Sequence, residues 1–347
     1  MDEFAPIYGY ASVKHELAQI ADFLKHPECY GDVGSRMPAG LLLDGEPGVG
    51  KTLMANCLMA ASGLPSFTVR KNQRADDMLE AIKATFAEAV EKAPAIILLD
   101  DMDKFSNSDF RLRDTQEYVT VQACMDEVKG KGVFVIATTN CSGKLPKSLV
   151  REGRFDRIIR LQAPYGDDAL AIVEHYLEGK ACALDVSAAD VADIISGRSC
   201  AFLETVINEA SLLAGFERVQ AVTLEHFIRA YARIDAHGSL SVPDASREPA
   251  CLADAWATER CQVAFHEAGH IVVQEALHAG SAAVAVLVDQ QGKIAGLAKT
   301  RLENAGHMHE DVRGNILVAL AGVLAVEMKY GVPCMGSGDD QLGLQRS

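Results

Sequence analysis

Short, unbroken apolar runs closed by polar residues recur through the first half of the chain: Gly40-Leu-Leu-Leu-Asp, Ala95-Ile-Ile-Leu-Leu-Asp and Gly132-Val-Phe-Val-Ile-Ala. Runs of four or five residues without alternation are what parallel strands covered on both faces require. Amphipathic stretches separate them, so residues 1–164 are predicted to form an α/β domain on a parallel sheet. From Asp167 to Ile234 helical spacing takes over, as in Ala169-Leu-Ala-Ile-Val-Glu-His-Tyr-Leu and Phe202-Leu-Glu-Thr-Val-Ile-Asn-Glu-Ala-Ser-Leu-Leu, which predicts a small helical unit over 165–236. Glycine, serine, proline and aspartate gather between His237 and Pro249, the composition of a linker at 237–250. A third unit is expected over 251–347, mainly helical and without internal repeats. Its most apolar run, Ile316–Val326, falls short of the ~20 residues that cross a bilayer and reads as a buried part of a helix ending at Tyr330.

Composition narrows the function classes. With 49% apolar and 23% charged residues, the 347-residue chain has enough apolar surface for two or three packed units. Its 33 lysines and arginines against 48 acids leave a net charge of −15, which argues against nonspecific attraction to nucleic acid or anionic membrane. Nine cysteines, scattered and without a CxxC pair, read as reduced and mostly buried thiols of a cytoplasmic protein. Met1-Asp-Glu-Phe lacks the order of a secretory signal.

Gly45-Glu46-Pro47-Gly48-Val49-Gly50-Lys51-Thr52 matches GxxxxGK[ST] after a buried strand and before a helical run. Such a loop curls backbone N–H groups around a polyphosphate at a helix N-terminus, while lysine supplies a point charge and threonine a hydroxyl for Mg²⁺. The run Ile96-Ile-Leu-Leu ends in Asp100-Asp101. Asp100 is the natural Mg²⁺ partner, directly or through water, and Asp101 the candidate for orienting an attacking water. Asn140, closing Val133-Phe-Val-Ile-Ala-Thr-Thr-Asn140, is placed to sense a γ-phosphate or hold that water. Arg151-Glu-Gly-Arg154-Phe-Asp-Arg157 brings guanidiniums suited to bidentate phosphate contact, and reads equally as a surface arginine cluster paired with Glu152 and Asp156.

Phe265-His266-Glu267-Ala268-Gly269-His270 carries HExxH. Positions i and i+4 share a helix face, so His266 and His270 can ligate one Zn²⁺ while Glu267 serves as general base for a bound water. The glycine and third histidine of the longer HExxHxxGxxH pattern are replaced by Val273 and Ala276, which directs the search for a third ligand to Gly336-Ser-Gly-Asp339-Asp340. His307 and His309 read as part of a solvated loop.

In this order, the P-loop, the Asp-Asp strand, Ala137-Thr-Thr-Asn140, the arginine-rich loop and the helix Val206-Ile-Asn-Glu-Ala resemble an AAA+ ATPase. With the His-Glu-Ala-Gly-His helix, Ala321-Gly-Val-Leu-Ala-Val-Glu-Met-Lys-Tyr-Gly331 and Gly336-Ser-Gly-Asp-Asp340 downstream, the chain resembles the FtsH-type ATP-dependent zinc metalloproteases from about Phe4 to Leu344. The resemblance implies a P-loop AAA+ sheet sandwich with a helical lid, followed by a zinc peptidase domain. It further implies ATP, Mg²⁺ and Zn²⁺ as cofactors, polypeptide substrates, and a homo-hexamer or a mixed ring with related subunits. Asn140 would then be the first sensor, Arg154, with Arg151, would reach a neighbour's γ-phosphate, Tyr8 and Gly9 would lie by adenine, and Asp340, with Asp339 as the alternative, would be the third zinc ligand. Set beside that resemblance, the sequence is expected to depart from the family in lacking a membrane anchor and in carrying little beyond Asp340. Asp101 also stands where the family has glutamate, and Arg70–Thr85 has neither aromatic nor glycine, leaving Met78 and Leu79 to grip substrate. These departures support a second expectation, an ATP-binding regulatory or remodelling subunit with little proteolysis.

Overall fold

The computed structural model describes residues 3–32, 34–35, 38–71, 75–105, 116–151, 153–184, 186–195, 197–235, 239–240, 255–277, 282–290, 293–300 and 309–331. The chain divides into two compact units, Met1–Pro164 with Ser199–Ala201, and Tyr165–Arg198 with Phe202–Ser347.

In the first unit, α1 (Ala11–Lys25) and the short α2 (Pro27–Gly31) lead into β1 (Gly40–Gly45), α3 (Lys51–Ser62), β2 (Ser66–Arg70), α4 (Ala75–Glu91), β3 (Ala95–Asp100), α5 (Gln116–Val128), β4 (Val133–Thr139) and β5 (Arg157–Leu161). The sheet is ordered β2-β3-β4-β1-β5, and every described pairing in it is parallel. Leu41, Leu42, Leu43, Ile96, Ile97, Leu98 and Leu99 are each fully buried at 0% exposure, so the central strands read as continuous apolar runs. The edge strands β2 and β5 escape that reading because their exposed and buried positions alternate. An edge strand covered on one face presents no unbroken apolar run.

On α4, Met78, Ile82, Phe86 and Ala89 form one buried face in a cluster with Ile97 and Leu99 of β3 and Val121 and Met125 of α5. Met78 therefore belongs to the core at 1% exposure and is not presented to substrate; Leu79 is half-buried. Helical spacing places Met78 on the sheet-facing stripe, where burial contributes ~1.5–3 kcal/mol.

The second unit contains α6 (Asp167–Leu177), α7 (Ala188–Ile195), α8 (Cys200–Phe216, whose first two residues belong to the first unit), α9 (Leu224–Asp235), β6 (Ser239–Leu240), α10 (Ala255–Leu277), β7 (Ala282–Gln290), β8 (Lys293–Thr300) and α11 (His309–Tyr330). An antiparallel sheet β6-β7-β8 accompanies the two long helices, so the region after α9 is less purely helical than the sequence suggested. The apolar run Ala282-Ala-Val-Ala-Val-Leu-Val carries the β-branched density that favours such a strand. Part of the expected linker, Ser239–Leu240, pairs with β7, while 241–250 lies outside the described residues.

The run Ile316–Val326 was expected to be buried and is only partly so. Ala321, Gly322 and Val326 face inward, whereas Leu317, Leu320 and Leu324 are 43%, 39% and 52% exposed. One stripe of the helix meets α10 and the opposite one does not. No helix among the described residues is long and apolar enough to cross a membrane. Among the described residues the cysteines are less buried than expected, with Cys57 and Cys124 in the core but Cys29 and Cys141 exposed.

Candidate functional site

The strand β1 delivers the chain into Gly45–Gly50, where Gly48 (φ 82°) and Gly50 (φ 93°) adopt the left-handed backbone that turns the loop into the N-terminus of α3. Lys51 opens that helix, and its buried ammonium is fully committed. Nζ donates to Gly45 O at 2.7 Å, Glu46 O at 2.8 Å and Asn140 Oδ1 at 2.9 Å, matching the three donors an ammonium has. Burial pushes Lys51 below the usual lysine range, while the surrounding Asp101, Asp103, Asp44 and Asp100 pull the other way. Backbone N–H groups at a helix start beside a cation suit a polyphosphate, whose charged oxygens accept stronger hydrogen bonds from an ammonium than neutral carbonyls do. Ala201 N donates to Gly48 O at 3.1 Å, which ties Ser199–Ala201 to the loop.

Asp100 ends β3, buried. Its Oδ1 accepts from Thr52 Oγ1 at 3.0 Å and from Thr138 Oγ1 at 2.8 Å, and Thr138 Oγ1 accepts the Asp101 N–H at 2.8 Å. A threonine hydroxyl and a carboxylate at this separation form the hard-oxygen pair that suits Mg²⁺. The other oxygen, Oδ2, is paired with Arg70 Nε at 2.8 Å. Asp101 sits in left-handed backbone (φ 56°, ψ 51°), and its carboxylate pairs with Lys104 Nζ at 2.7 Å.

Asn140 bridges two networks. Its Oδ1 receives Lys51, while its backbone N and Nδ2 donate to Asp103 Oδ1 at 2.9 and 3.3 Å. Burial acts to raise the Asp103 pKa, yet the donors from Asn140 and Thr139 outweigh it and hold the carboxyl below the usual range. Stability from a lowered carboxyl is present above the unfolded pKa and lost as pH falls through the folded one. Asp103→Asn is therefore expected to lower the Tm at pH 7 and to flatten the loss of Tm below about pH 4. An unchanged acid slope in melts from pH 7 to pH 3 would refute that role.

Arg154 was expected to face a neighbouring subunit, but it turns inward at 7% exposure. Its Nε and Nη2 form a fork with Asp126 at 3.1 and 2.8 Å, and Nη1 donates to Ser148 O. Arg151 is exposed. Tyr8 is 38% exposed, and Gly9 (φ 65°) and Tyr10 (φ 51°) turn the chain so that Tyr10 is buried and donates to Gln162 O at 2.8 Å.

On α10, His266 and His270 are each 7% exposed, with their Nε2 atoms 3.1 Å apart. Tetrahedral Zn²⁺ with bonds near 2.0–2.1 Å places two nitrogens about 3.3 Å apart, so the pair fits one ion. His270 Nδ1 lies 2.7 Å from Val318 O, which leaves Nε2 for a metal. A Cβ on Gly322 of α11 would lie 2.5 Å from His270 Nε2 and 2.7 Å from His266 Cε1, so the glycine leaves the space the rings occupy. Glu267 is half-buried on the same helix. Among the described residues no group of three or more metal-ligating side chains converges; Asp339, Asp340 and His307 lie outside them, and His309 opens α11.

Sequence reasoning missed Arg70, Asp103, Thr138, Lys104 and Gly322. Only Asp103 carried a local signal, three residues after Asp100 beyond a buried Met102.

The parallel sheet and its P-loop define a P-loop ATPase fold, and residues 41–163 match the family described as ATPase family associated with various cellular activities (AAA). The chain is 32% identical to the ATP-dependent zinc metalloprotease FtsH 3 of Sphaerobacter thermophilus, over 97% of this chain and 69% of that protein. It is 31% identical to the ATP-dependent zinc metalloprotease FtsH of Lactococcus lactis subsp. lactis, over 97% of this chain and 49% of the relative. To the protein of the same name from Ureaplasma parvum serovar 3 it is 30% identical, over 94% of this chain and 46% of the relative. The chain belongs to the FtsH family, and spans about half the length of the latter two relatives.

Proposed function

We propose that the chain is an ATP-dependent zinc metalloendopeptidase, with a nucleotide-binding domain over 1–164, a lid over 165–236 and a peptidase domain over 251–347. The observation that carries this reading is the convergence of His266 and His270 Nε2 at 3.1 Å on a chain that also holds a complete P-loop. Zn²⁺, when bound, would act as a Lewis acid and make a water acidic near neutral pH. His266 and His270 would hold it, with Asp340 or Asp339 as third ligand, and Glu267 would take the water's proton as the peptide carbonyl is attacked. Gly45–Thr52 would hold the phosphates of ATP, Thr52 and Asp100 the Mg²⁺, and Asp101 with Asn140 the water that attacks the γ-phosphate. Tyr8 and Gly9 would border the adenine.

A ring, either a homo-hexamer or one mixed with related subunits, would let arginines act across subunits. Arg151 is exposed for that contact, whereas Arg154 would first have to leave Asp126. A cytoplasmic location and polypeptide substrates complete the reading, the first supported by the scattered cysteines of the sequence.

The second reading, a regulatory or remodelling subunit that binds ATP with little proteolysis, is favoured by the pairing of both strand-end carboxylates with the chain's own cations. Degradation of an unfolded protein by purified chain with Zn²⁺, Mg²⁺ and ATP separates the two. The peptidase reading expects cleavage that Glu267→Gln lowers by at least ~100-fold, the range for loss of a general base. Stoichiometric zinc without cleavage, or equal cleavage by the variant, supports the second.

A further inference from the structure

The carboxylate that ends β3 already has a cation. Arg70, the last residue of β2, reaches across from the neighbouring strand, with which it is in register (Arg70 opposite Asp100), and places Nε 2.8 Å from Asp100 Oδ2. The other oxygen of Asp100 serves the hydroxyls of Thr52 and Thr138. One oxygen of the carboxylate is therefore tied to the start of α3 and to β4, and the other to a guanidinium. The arginine side chain is 56% exposed and that of the aspartate 7%, so the charge that can move is the arginine.

We propose that Arg70 is the resident cation of the metal position: it neutralises Asp100 before nucleotide arrives and gives up part of that contact when Mg²⁺ enters with ATP. The physical reason is charge accounting around one buried carboxylate. Four aspartates, Asp44, Asp100, Asp101 and Asp103, act on Lys51, so a polyphosphate entering without metal meets a cluster of negative charge. An arginine beside Asp100 weakens that repulsion and offers the phosphates a second donor. The same arginine repels Mg²⁺ and competes with it for Oδ2. It thus makes binding of metal-free nucleotide easier and binding of the metal complex harder, and so lowers the coupling between Mg²⁺ and ATP. Arg70 is a positioning residue in this account, since it acts on the metal through Asp100.

The proposal rests on the ATP-binding reading, and the test keeps the two apart. Binding of a fluorescent ATP analogue is titrated in EDTA and in saturating Mg²⁺, and the ratio of the two Kd values is the readout. Arg70→Ser is expected to raise that ratio by about tenfold, weakening binding in EDTA and leaving it equal or tighter in Mg²⁺, the order of effect one adjacent opposite charge has on a carboxylate. Arg70→Lys, which keeps the charge, is expected to stay within about threefold of the wild type. Lys92→Ala removes a distant exposed charge paired with Glu88 and is expected to change nothing. A ratio unmoved by Arg70→Ser, an Arg70→Lys protein that behaves like Arg70→Ser, or an equal effect of Lys92→Ala overturns the proposal. Wild-type protein that binds no nucleotide in either condition overturns the ATP-binding reading as well. Thermal melts check that each variant is folded, and the exposure of Arg70 keeps its loss away from the core.

Discussion

Gly322→Ala is expected to reduce zinc affinity by about 100-fold, the upper range for disturbing the surroundings of a metal ligand. The new Cβ would sit 2.5 Å from His270 Nε2 and 2.7 and 2.8 Å from His266 Cε1 and Nδ1, all well inside van der Waals contact. The rings cannot simply swing clear, because His270 Nδ1 is held 2.7 Å from Val318 O one turn before the glycine. The helices cannot easily part either. Gly269, between the two histidines, comes so close to α11 that a Cβ there would lie 2.5 Å from Ala321 O. The strain therefore falls on the imidazoles or on the α10–α11 contact, and overpacking of this kind costs about 1–3 kcal/mol. Zinc content by metal analysis, with a melt on the same preparation, is the measurement. A variant that keeps one equivalent of zinc and the wild-type Tm would remove Gly322 from the site.

Lys51→Met is expected to weaken ATP binding by at least ~100-fold, since hydrogen bonds to charged groups contribute about 1.5–3 kcal/mol each and this ammonium has three donors for phosphate oxygens. Methionine keeps most of the volume and removes the charge. Gly45 O, Glu46 O and Asn140 Oδ1 would then lose a shared donor, and Asn140 would keep only its bonds to Asp103. A Tm lower by a few degrees should accompany the loss of binding. Fluorescence titration with an ATP analogue is the check, and an affinity within fivefold of the wild type would refute the role of Lys51 as the phosphate cation.

Arg154 and Arg70 mark the limits of reading this chain linearly. A guanidinium near a loop reads as a phosphate contact, and for Arg154 the text of the motif says nothing about Asp126, which lies on α5 and takes up two of its nitrogens. Arg70 drew notice in the sequence only as the first residue of the Arg70–Thr85 segment, and parallel pairing of β2 with β3 sets it opposite Asp100. Met78 is a similar case, expected to grip substrate in a segment that lacks aromatic and glycine, and set in the core by the face of α4 it shares with Ile82 and Phe86.

The local sequence was enough to define the P-loop, the aspartates ending β3, the HExxH helix and the three central strands. Each of these is written in spacing between near neighbours, which backbone geometry converts directly into a shared loop or helix face. The edge strands β2 and β5 were illegible because one-sided burial leaves no unbroken apolar run. Partner choice at the sites was decided only by folding. Arg70 with Asp100, Lys51 with Asn140, Arg154 with Asp126 and Gly322 against His266 and His270 are pairings between distant segments. Sheet order and helix packing choose among many equally charged or equally small candidates along the chain, and nothing in local spacing distinguishes them.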